Sequence, residues 1–378
     1  MDKKVKVAVI GCGGRSQYVV GNLLRDSSRN VSVETVFDPD RSQCELAMRK
    51  WDTPHARICQ SCREAIDAPG VEWVMVFSPN AFHKEHVLAG FAAGKNVFSE
   101  KPMATTIEDC QQIYLAHQAA KVLFATGFVL RYSKLYRKAK EILDSGRLGK
   151  LYAINADENI PPEHGTYIMC NWRRLKKYAG PHILEKCCHD LDLINWFCGS
   201  LPSKVASFAN SKMFLPENQF LMDKYGREKF KAPSWIDPHA VDSPFTSDKD
   251  ILDNQTAIAQ FRNGVLATFQ CTMCNTLPER RMYFSCTEGT MRLDLRGELL
   301  YRNIGEDFTH AYDFGADGHG GGDDYIMKEL YDTMCNGNAP KCSGNEGLES
   351  AVYALACEKA ALEGKVVDLE PIWEKLGR

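Results

Sequence analysis

Val5-Lys6-Val7-Ala8-Val9-Ile10-Gly11-Cys12-Gly13-Gly14-Arg15-Ser16 decides how the rest of the chain is read. An apolar run of strand length ends in glycine, and a helical pattern near Arg15–Asp26 follows it. The junction reads G-x-G-x-x-S, one substitution away from the dinucleotide fingerprint. Gly11 permits the tight turn, and Gly13 lets the backbone approach a pyrophosphate at the positive end of the helix. Ser16 replaces the last glycine and is small enough for close helix–strand packing. A plain glycine turn would look the same in isolation. Placement directly after the first strand favours cofactor binding, with Gly11, Cys12, Gly13, Gly14, Arg15 and Ser16 as the loop.

Working outward, strand-like runs at Val31–Phe37, Val71–Phe77, Asn96–Phe98 and Val122–Phe128 alternate with helical stretches near Arg41–Trp51, His83–Ala93 and Thr106–Ala120. Short, continuously apolar strands separated by helices imply a parallel sheet covered on both faces. The fold expected is α/β, with a doubly wound Rossmann domain over 1–127. The second strand ends at Phe37-Asp38, where an acid contacts the adenosine ribose. A carboxylate there accepts from both ribose hydroxyls and repels a 2′-phosphate, which favours NAD. Arg41 keeps NADP open, and Asp38 could simply begin the turn Asp38-Pro39-Asp40.

Composition narrows the function. The 378 residues suffice for two cores, and a net charge of −3 gives no polybasic surface for nucleic acid or anionic lipid. The apolar run after Met1 is too short for a signal-peptide core, and no stretch nears the roughly 18 apolar residues of a membrane span. A cytoplasmic location is expected. Fifteen cysteines in a chain with a normal core read as reduced, mostly buried thiols. Two C-x-x-C pairs, Cys59/Cys62 and Cys271/Cys274, would need to converge from distant segments to bind zinc. Cys271 and Cys274 also sit in an expected strand, where residues three apart face opposite ways. No metal is expected.

After the apolar run ending at Phe77 comes Ser78-Pro79-Asn80-Ala81-Phe82-His83, and later Ser99-Glu100-Lys101-Pro102. In this order the motifs closely resemble the glucose–fructose oxidoreductase, inositol dehydrogenase and rhizopine-catabolism family (Gfo/Idh/MocA). The resemblance covers nearly the whole chain. It implies that Lys101 meets both nicotinamide ribose and substrate, that Glu100 touches the ribose, and that the Lys101–Pro102 bond is often cis. Ser78, Pro79, Asn80 and His83 would then border the nicotinamide, with Arg131 as a further cofactor contact and Tyr132 as a substrate contact. Chemistry agrees: oxidising a secondary alcohol removes a hydride and a hydroxyl proton, and a lysine at the alcohol can relay the proton. A surface Glu-Lys-Pro turn is the bland alternative.

The remainder, 128–378, reads as an α+β domain with a large, mostly antiparallel open sheet. Its helices are Tyr136–Ser145, one continuous helix through Glu185-Lys186-Cys187-Cys188-His189, Tyr325–Cys335 and a last one, Gly347–Glu363, returning across the domain junction. Strands are expected at Leu151–Asp157, Lys204–Ala209, Gln255–Phe261, Val265–Met273, Met282–Cys286, Met291–Leu295 and Leu299–Arg302, with Asn263-Gly264 as a hairpin turn. On the helix, Glu185, His189, Asp192 and Trp196 fall on one stripe, offering a carboxylate and an imidazole for acid–base work. The family often has D-x-x-x-H here, so the resemblance implies catalytic roles for Glu185 and His189 alongside Lys101, with Glu185 one methylene longer than the family aspartate. A structural histidine is the alternative.

Tyr167, Trp172 and His319 would edge a polar pocket for a sugar or polyol, with residues 211–250 as a bordering insertion. His319 lies in Gly318-His319-Gly320-Gly321-Gly322-Asp323, which also reads as a loop with an N-cap at Asp323 or Asp324. The function expected is an NAD-dependent dehydrogenase of a sugar, glycoside or polyol, assembled as a dimer or tetramer through the C-terminal sheet. Two alternatives stand beside it: an NAD-dependent glycosidase working by transient oxidation and elimination, and a non-catalytic nucleotide-binding regulator.

Overall fold

The computed structural model describes residues 4–27, 30–230, 237, 239–315 and 318–378. The chain divides into two compact units, residues 1–132 with 322–351, and residues 133–321 with 352–378.

The first unit is built on six strands: β1 (Val5–Ile10), β2 (Val31–Phe37), β3 (Arg57–Ile58), β4 (Trp73–Val76), β5 (Asn96–Ser99) and β6 (Phe124–Thr126). Their order is β3-β2-β1-β4-β5-β6, and every pair is parallel. This is the doubly wound order that reverses direction between β1 and β4, so the crevice at the carboxyl ends of those strands is the ligand-binding edge. Burial on both faces explains the Val-rich strands; all four residues of β4 are buried. The expected strand over 71–77 is shorter than its apolar run because Val71 and Phe77 lie in the connecting turns. β3 and the Cys62–Ile66 helix were not expected from the sequence. Only two residues pair in β3, too few for a periodic signal, and the helix is one turn started by Ser61 Oγ accepting from Glu64 N.

In the second unit, β7 (Leu151–Asn159), β8 (Pro202–Asn210), β9 (Asn254–Phe261), β10 (Leu266–Thr272), β11 (Glu279–Cys286), β12 (Gly289–Asp294), β13 (Glu298–Asn303), β14 (His310–Asp313) and β15 (Val367–Asp368) form one sheet. The order is β14-β13-β12-β11-β7-β10-β9-β8-β15. The sheet is antiparallel except for β7 against β10. Asn263-Gly264 turns β9 into β10 as expected, with Phe261 N donating to Val265 O. The Cys188–Cys198 helix lies on the buried face, where Phe197 meets Phe284 of β11 edge-on at 4.9 Å.

Two expectations need correction. The helix expected to run through Glu185 and His189 is broken: His182–Glu185 is one turn, Lys186 and Cys187 form a turn outside both helices, and a second helix starts at Cys188. Glu185 and His189 therefore do not share a helical stripe. After β7, Pro162 opens a helix to Cys170, a position where its missing N–H costs nothing. Asp323 and Asp324 do not precede their helix; it begins at Gly322, placing both in the first turn.

The expected insertion carries its own small core, in which Phe214, Met222, Phe230 and Phe245 pack with Ile160, Ile168 and Met273. Asp253 fixes its entrance by accepting from the backbone N–H groups of Lys212, Met213 and Phe214. Residues 231–236 and 238 lie outside the described residues. The last long helix, Gly344–Glu363, begins three residues before the expected start and supplies residues to both units.

One buried cation organises the inner face of the second sheet. Arg280 of β11 grips Asp190 with two bonds of 2.7 Å and reaches Glu158 of β7 at 3.2 Å. All three side chains are almost fully buried. Removing one partner of such a group strands the others. Arg280→Ala should lower unfolding stability by about 3–5 kcal/mol, read as a drop in the urea midpoint against the parent chain.

Candidate active site

The glycine loop is shaped by steric necessity. Gly11 has φ +88°, and a Cβ on it would come within 2.6 Å of Phe77 C and Ser78 N, the backbone leaving β4. Only glycine lets β1 exit here. Gly13 caps the Gly14–Asp26 helix with no side chain, and a Cβ there would meet nothing within 4 Å. The helix N-terminus thus faces open space, as a pyrophosphate seat requires. Ser16 is buried and closes the turn by donating to Gly13 O at 2.8 Å.

Asp38 ends β2 and bonds back to the loop: Cys12 N donates to its Oδ2 at 2.8 Å and Asp40 N to its Oδ1 at 2.9 Å. Burial raises its pKa, and those two backbone donors oppose the rise. A cleft of about 320 Å³ lies against Asp38, Arg41, Ile58, Cys59 and Gln60. Arg41 is drawn along its own helix to Glu45, Nε to Oε1 at 3.0 Å.

The other loops stand at the carboxyl ends of β4 and β5. Asn80 is buried beyond Pro79, and Ser78 Oγ lies 2.9 Å from His86 Nδ1. His83 is buried behind the loop with its nitrogens 2.8 Å from Pro102 O and 2.9 Å from Ser78 O, so it clasps the two loops together. Burial lowers its pKa against the pull of both carbonyls. The Lys101–Pro102 bond is cis. Glu100 accepts from Arg15 Nε at 2.6 Å, and Arg15 Nη1 also reaches Asp323 at 2.8 Å. Arg15 therefore joins the glycine loop to the turn before Lys101 and to the first turn of the Gly322–Asn336 helix. Arg131 lies 3.9 Å from Glu346. Tyr132 is buried with its hydroxyl on Glu329, and burial pushes its pKa up.

In the second unit, Arg173 draws three of the expected pocket residues together. Its Nε donates to Glu185 Oε1 at 2.9 Å, and its guanidinium lies over the rings of Trp172 and Tyr167, 4.3 and 5.1 Å from their centroids. Trp172 N in turn donates to Asp237 of the insertion at 2.8 Å. His189 is buried in the first turn of its helix, its ring 6.0 Å from that of His319. Of the candidates, Tyr167, Trp172 and Glu185 form one group and His189 with His319 another.

Residues 5–128 match the oxidoreductase family with an NAD-binding Rossmann fold, and residues 136–292 match the Gfo/Idh/MocA C-terminal domain. The chain belongs to the Gfo/Idh/MocA family. It is 31% identical over 196 residues to an inositol 2-dehydrogenase of Ralstonia nicotianae, covering 52% of this chain and 55% of that protein. It is 27% identical over 203 residues to a 2,7-anhydro-N-acetylneuraminate hydratase of Mediterraneibacter gnavus, covering 54% and 52%. The chain thus matches about half the length of these relatives. A levoglucosan dehydrogenase, solved with NADH and levoglucosan, has the same fold: TM-score 0.80, 16% identity, covering 97% of this chain and all of that one.

As in this NAD-binding family, the loop residues present fit a dinucleotide: a helix start open to phosphate, an acid at the end of β2, and a cleft beside it. Sequence reading missed His86, Arg173, Arg280 and Glu158. Arg173 had a signal, since it adjoins Trp172 and an acid in the next helix needs a partner. Arg280, inside an alternating strand, had none.

Burial, with a smaller push from His83, takes the pKa of His86 from 6.5 down to about 4. Between those values the unfolded chain binds a proton that the folded chain refuses, so stability is lost as pH falls through the window. His86→Gln should make the fall in melting temperature from pH 6.5 to 4 shallower, measured by thermal melts across that range.

Proposed function

We propose that this chain is an NAD-dependent dehydrogenase of a ring secondary alcohol in a sugar or polyol. The observation that carries the reading is Glu100-Lys101-Pro102 at the carboxyl end of β5, the ligand-binding edge of a sheet in an NAD-binding family. The inositol 2-dehydrogenases among its relatives support a polyhydroxylated substrate.

Asp38 would hold the adenosine ribose. With Arg41 turned toward Glu45, the loop offers a 2′-phosphate a carboxylate and no uncommitted guanidinium, which supports NAD over NADP. Gly11, Cys12, Gly13 and Gly14 would hold the pyrophosphate, with Ser16 bracing the turn. Ser78, Pro79, Asn80 and Glu100 would border the nicotinamide, with His83 as their brace and Arg131 beyond them. When bound, the nicotinamide supplies the hydride acceptor or donor. Lys101 would take the hydroxyl proton as the alcohol becomes a ketone and return it in the reverse direction. Glu185, kept by Arg173 as a fixed hydrogen-bond acceptor, would receive substrate hydroxyls and act with His189 as the second acid–base element. Tyr167, Trp172, Tyr132 and His319 would complete the wall.

The same reading includes self-association. The outer face of the second sheet exposes Phe208, Ile258, Leu266 and Tyr283, all pointing the same way by strand register. A second copy presenting the same face would cover them as a dimer or as half of a tetramer. The fifteen free cysteines support a reducing, cytoplasmic setting. Among the described residues no helix is long and apolar enough to cross a membrane.

A panel of inositols, aldoses and glycosides with NAD and with NADP tests the reaction. Reduced nicotinamide should form with NAD, and Lys101→Ala should lower kcat by about 10²–10⁴-fold. Unchanged turnover in that variant removes the assignment. Product release from a glycoside without net NADH would favour transient oxidation and elimination instead. NAD binding with no turnover of any kind would favour a regulator. For assembly, light scattering should give a dimer or tetramer, and Ile258→Asp should shift it toward the monomer.

A further inference from the structure

The buried side of the second sheet holds a group of soft donors that the proposed reaction does not use. Cys271 of β10, Cys187 in the break between the two short helices, and His182 offer ligand atoms within 4.8 Å of one another. All three residues are at least nine-tenths buried. His182 Nε2 lies 3.9 Å from Cys187 Sγ, while its Nδ1 is buried with no hydrogen-bond partner among the described residues. Glu158 stands beside Cys271 across the β7–β10 ladder and forms a second close group with Cys187 and Asp190. Its Oε1 faces Lys186 and Arg280, each at 3.2 Å, while no donor among the described residues reaches its buried Oε2.

We infer that His182, Cys187 and Cys271 bind a zinc ion, with the Glu158 carboxylate, which lies close to Cys187 but outside the trio, moving in as the fourth donor. Two thiolates, an imidazole and a carboxylate are a zinc donor set. Ligands at about 2.3 Å for sulfur and about 2.1 Å for nitrogen, set tetrahedrally, stand about 3.6 Å apart, so the observed sulfur–nitrogen spacing needs to close by only a few tenths. Charge balances as well. The ion displaces the two thiol protons, which pass to solvent, and the net charge of the cavity beside Lys186 and Arg280 does not change. Such an enclosed site would fill as the chain folds. It does not involve the C-x-x-C spacing, since Cys274 stands outside the group.

The test uses the full chain, tag-free and reduced, expressed in zinc-supplemented medium and then dialysed. Elemental mass spectrometry should find one zinc per chain in the parent and in Cys274→Ala, and none above background in a Cys187→Ala/Cys271→Ala double variant. Cobalt-grown parent protein should show thiolate-to-cobalt charge-transfer absorption that the double variant lacks. Should the double variant fail to fold, parent protein refolded with zinc should still melt higher than parent refolded with chelator. Substoichiometric zinc in the parent, cobalt without charge-transfer absorption, or zinc retained by a folded double variant overturns the proposal. None of these readouts depends on NAD or on turnover.

Discussion

A guanidinium taken out of water must be met by acids, and in the second unit Arg280 sets where those acids go. It spans from β11 to Glu158 on β7 and to Asp190 in the first turn of the Cys188–Cys198 helix. Three charges in a dry layer tolerate little displacement, because each is compensated only while the other two stay in place. His189 precedes Asp190 in sequence and Lys186 reaches Glu158, so both the break in the helix and the helix that follows it are anchored to this group. The burial that demands the ion pairs therefore also fixes the direction in which a candidate catalytic imidazole can point.

The first unit solves a different problem, at its strand ends. A parallel sheet covered on both faces can present ligands only at its strand ends, and the loops there must be held in shape without filling the space a ligand needs. Gly11 gives up its side chain so that β1 can pass against Phe77 and Ser78. His83 sets its ring nitrogens against backbone carbonyls of two different loops, at 2.8 and 2.9 Å. Arg15 ties Glu100 to Asp323. Small residues, a buried imidazole and a two-acid guanidinium do the bracing. Asp38, whose partners are backbone N–H groups, keeps acceptor capacity for a ribose.

Arg173 shows how a polar pocket is stiffened. One face of the guanidinium system lies near Trp172 and Tyr167, and its Nε–H is spent on Glu185. Aromatic rings favour a cation over their faces, and the planar fork has little rotamer freedom left once bonded. Glu185 is held in place by this arrangement, not by helical spacing to His189. Its position is set by an arginine from a neighbouring turn.

Sequence alone determined five of the six strands of the first sheet, the glycine loop, the acid after β2, the Glu-Lys-Pro turn and the hairpin at Asn263-Gly264. Each of these rests on contacts between neighbours in the chain: a strand's apolar run, a positive φ, a turn dipeptide. Only the tertiary structure decided the rest. The break at Lys186 and Cys187 overrides a good helical period, with Arg173 holding Glu185 before it and Arg280 holding Asp190 after it. Arg173 left only its adjacency to Trp172 as a signal because its partners come from separate turns, and the meeting of Cys271 with Cys187 and His182 left none because a strand and a helix break come together only after folding. Linear spacing encodes local geometry, and it carries no record of which buried charges and thiols the packed layers bring face to face.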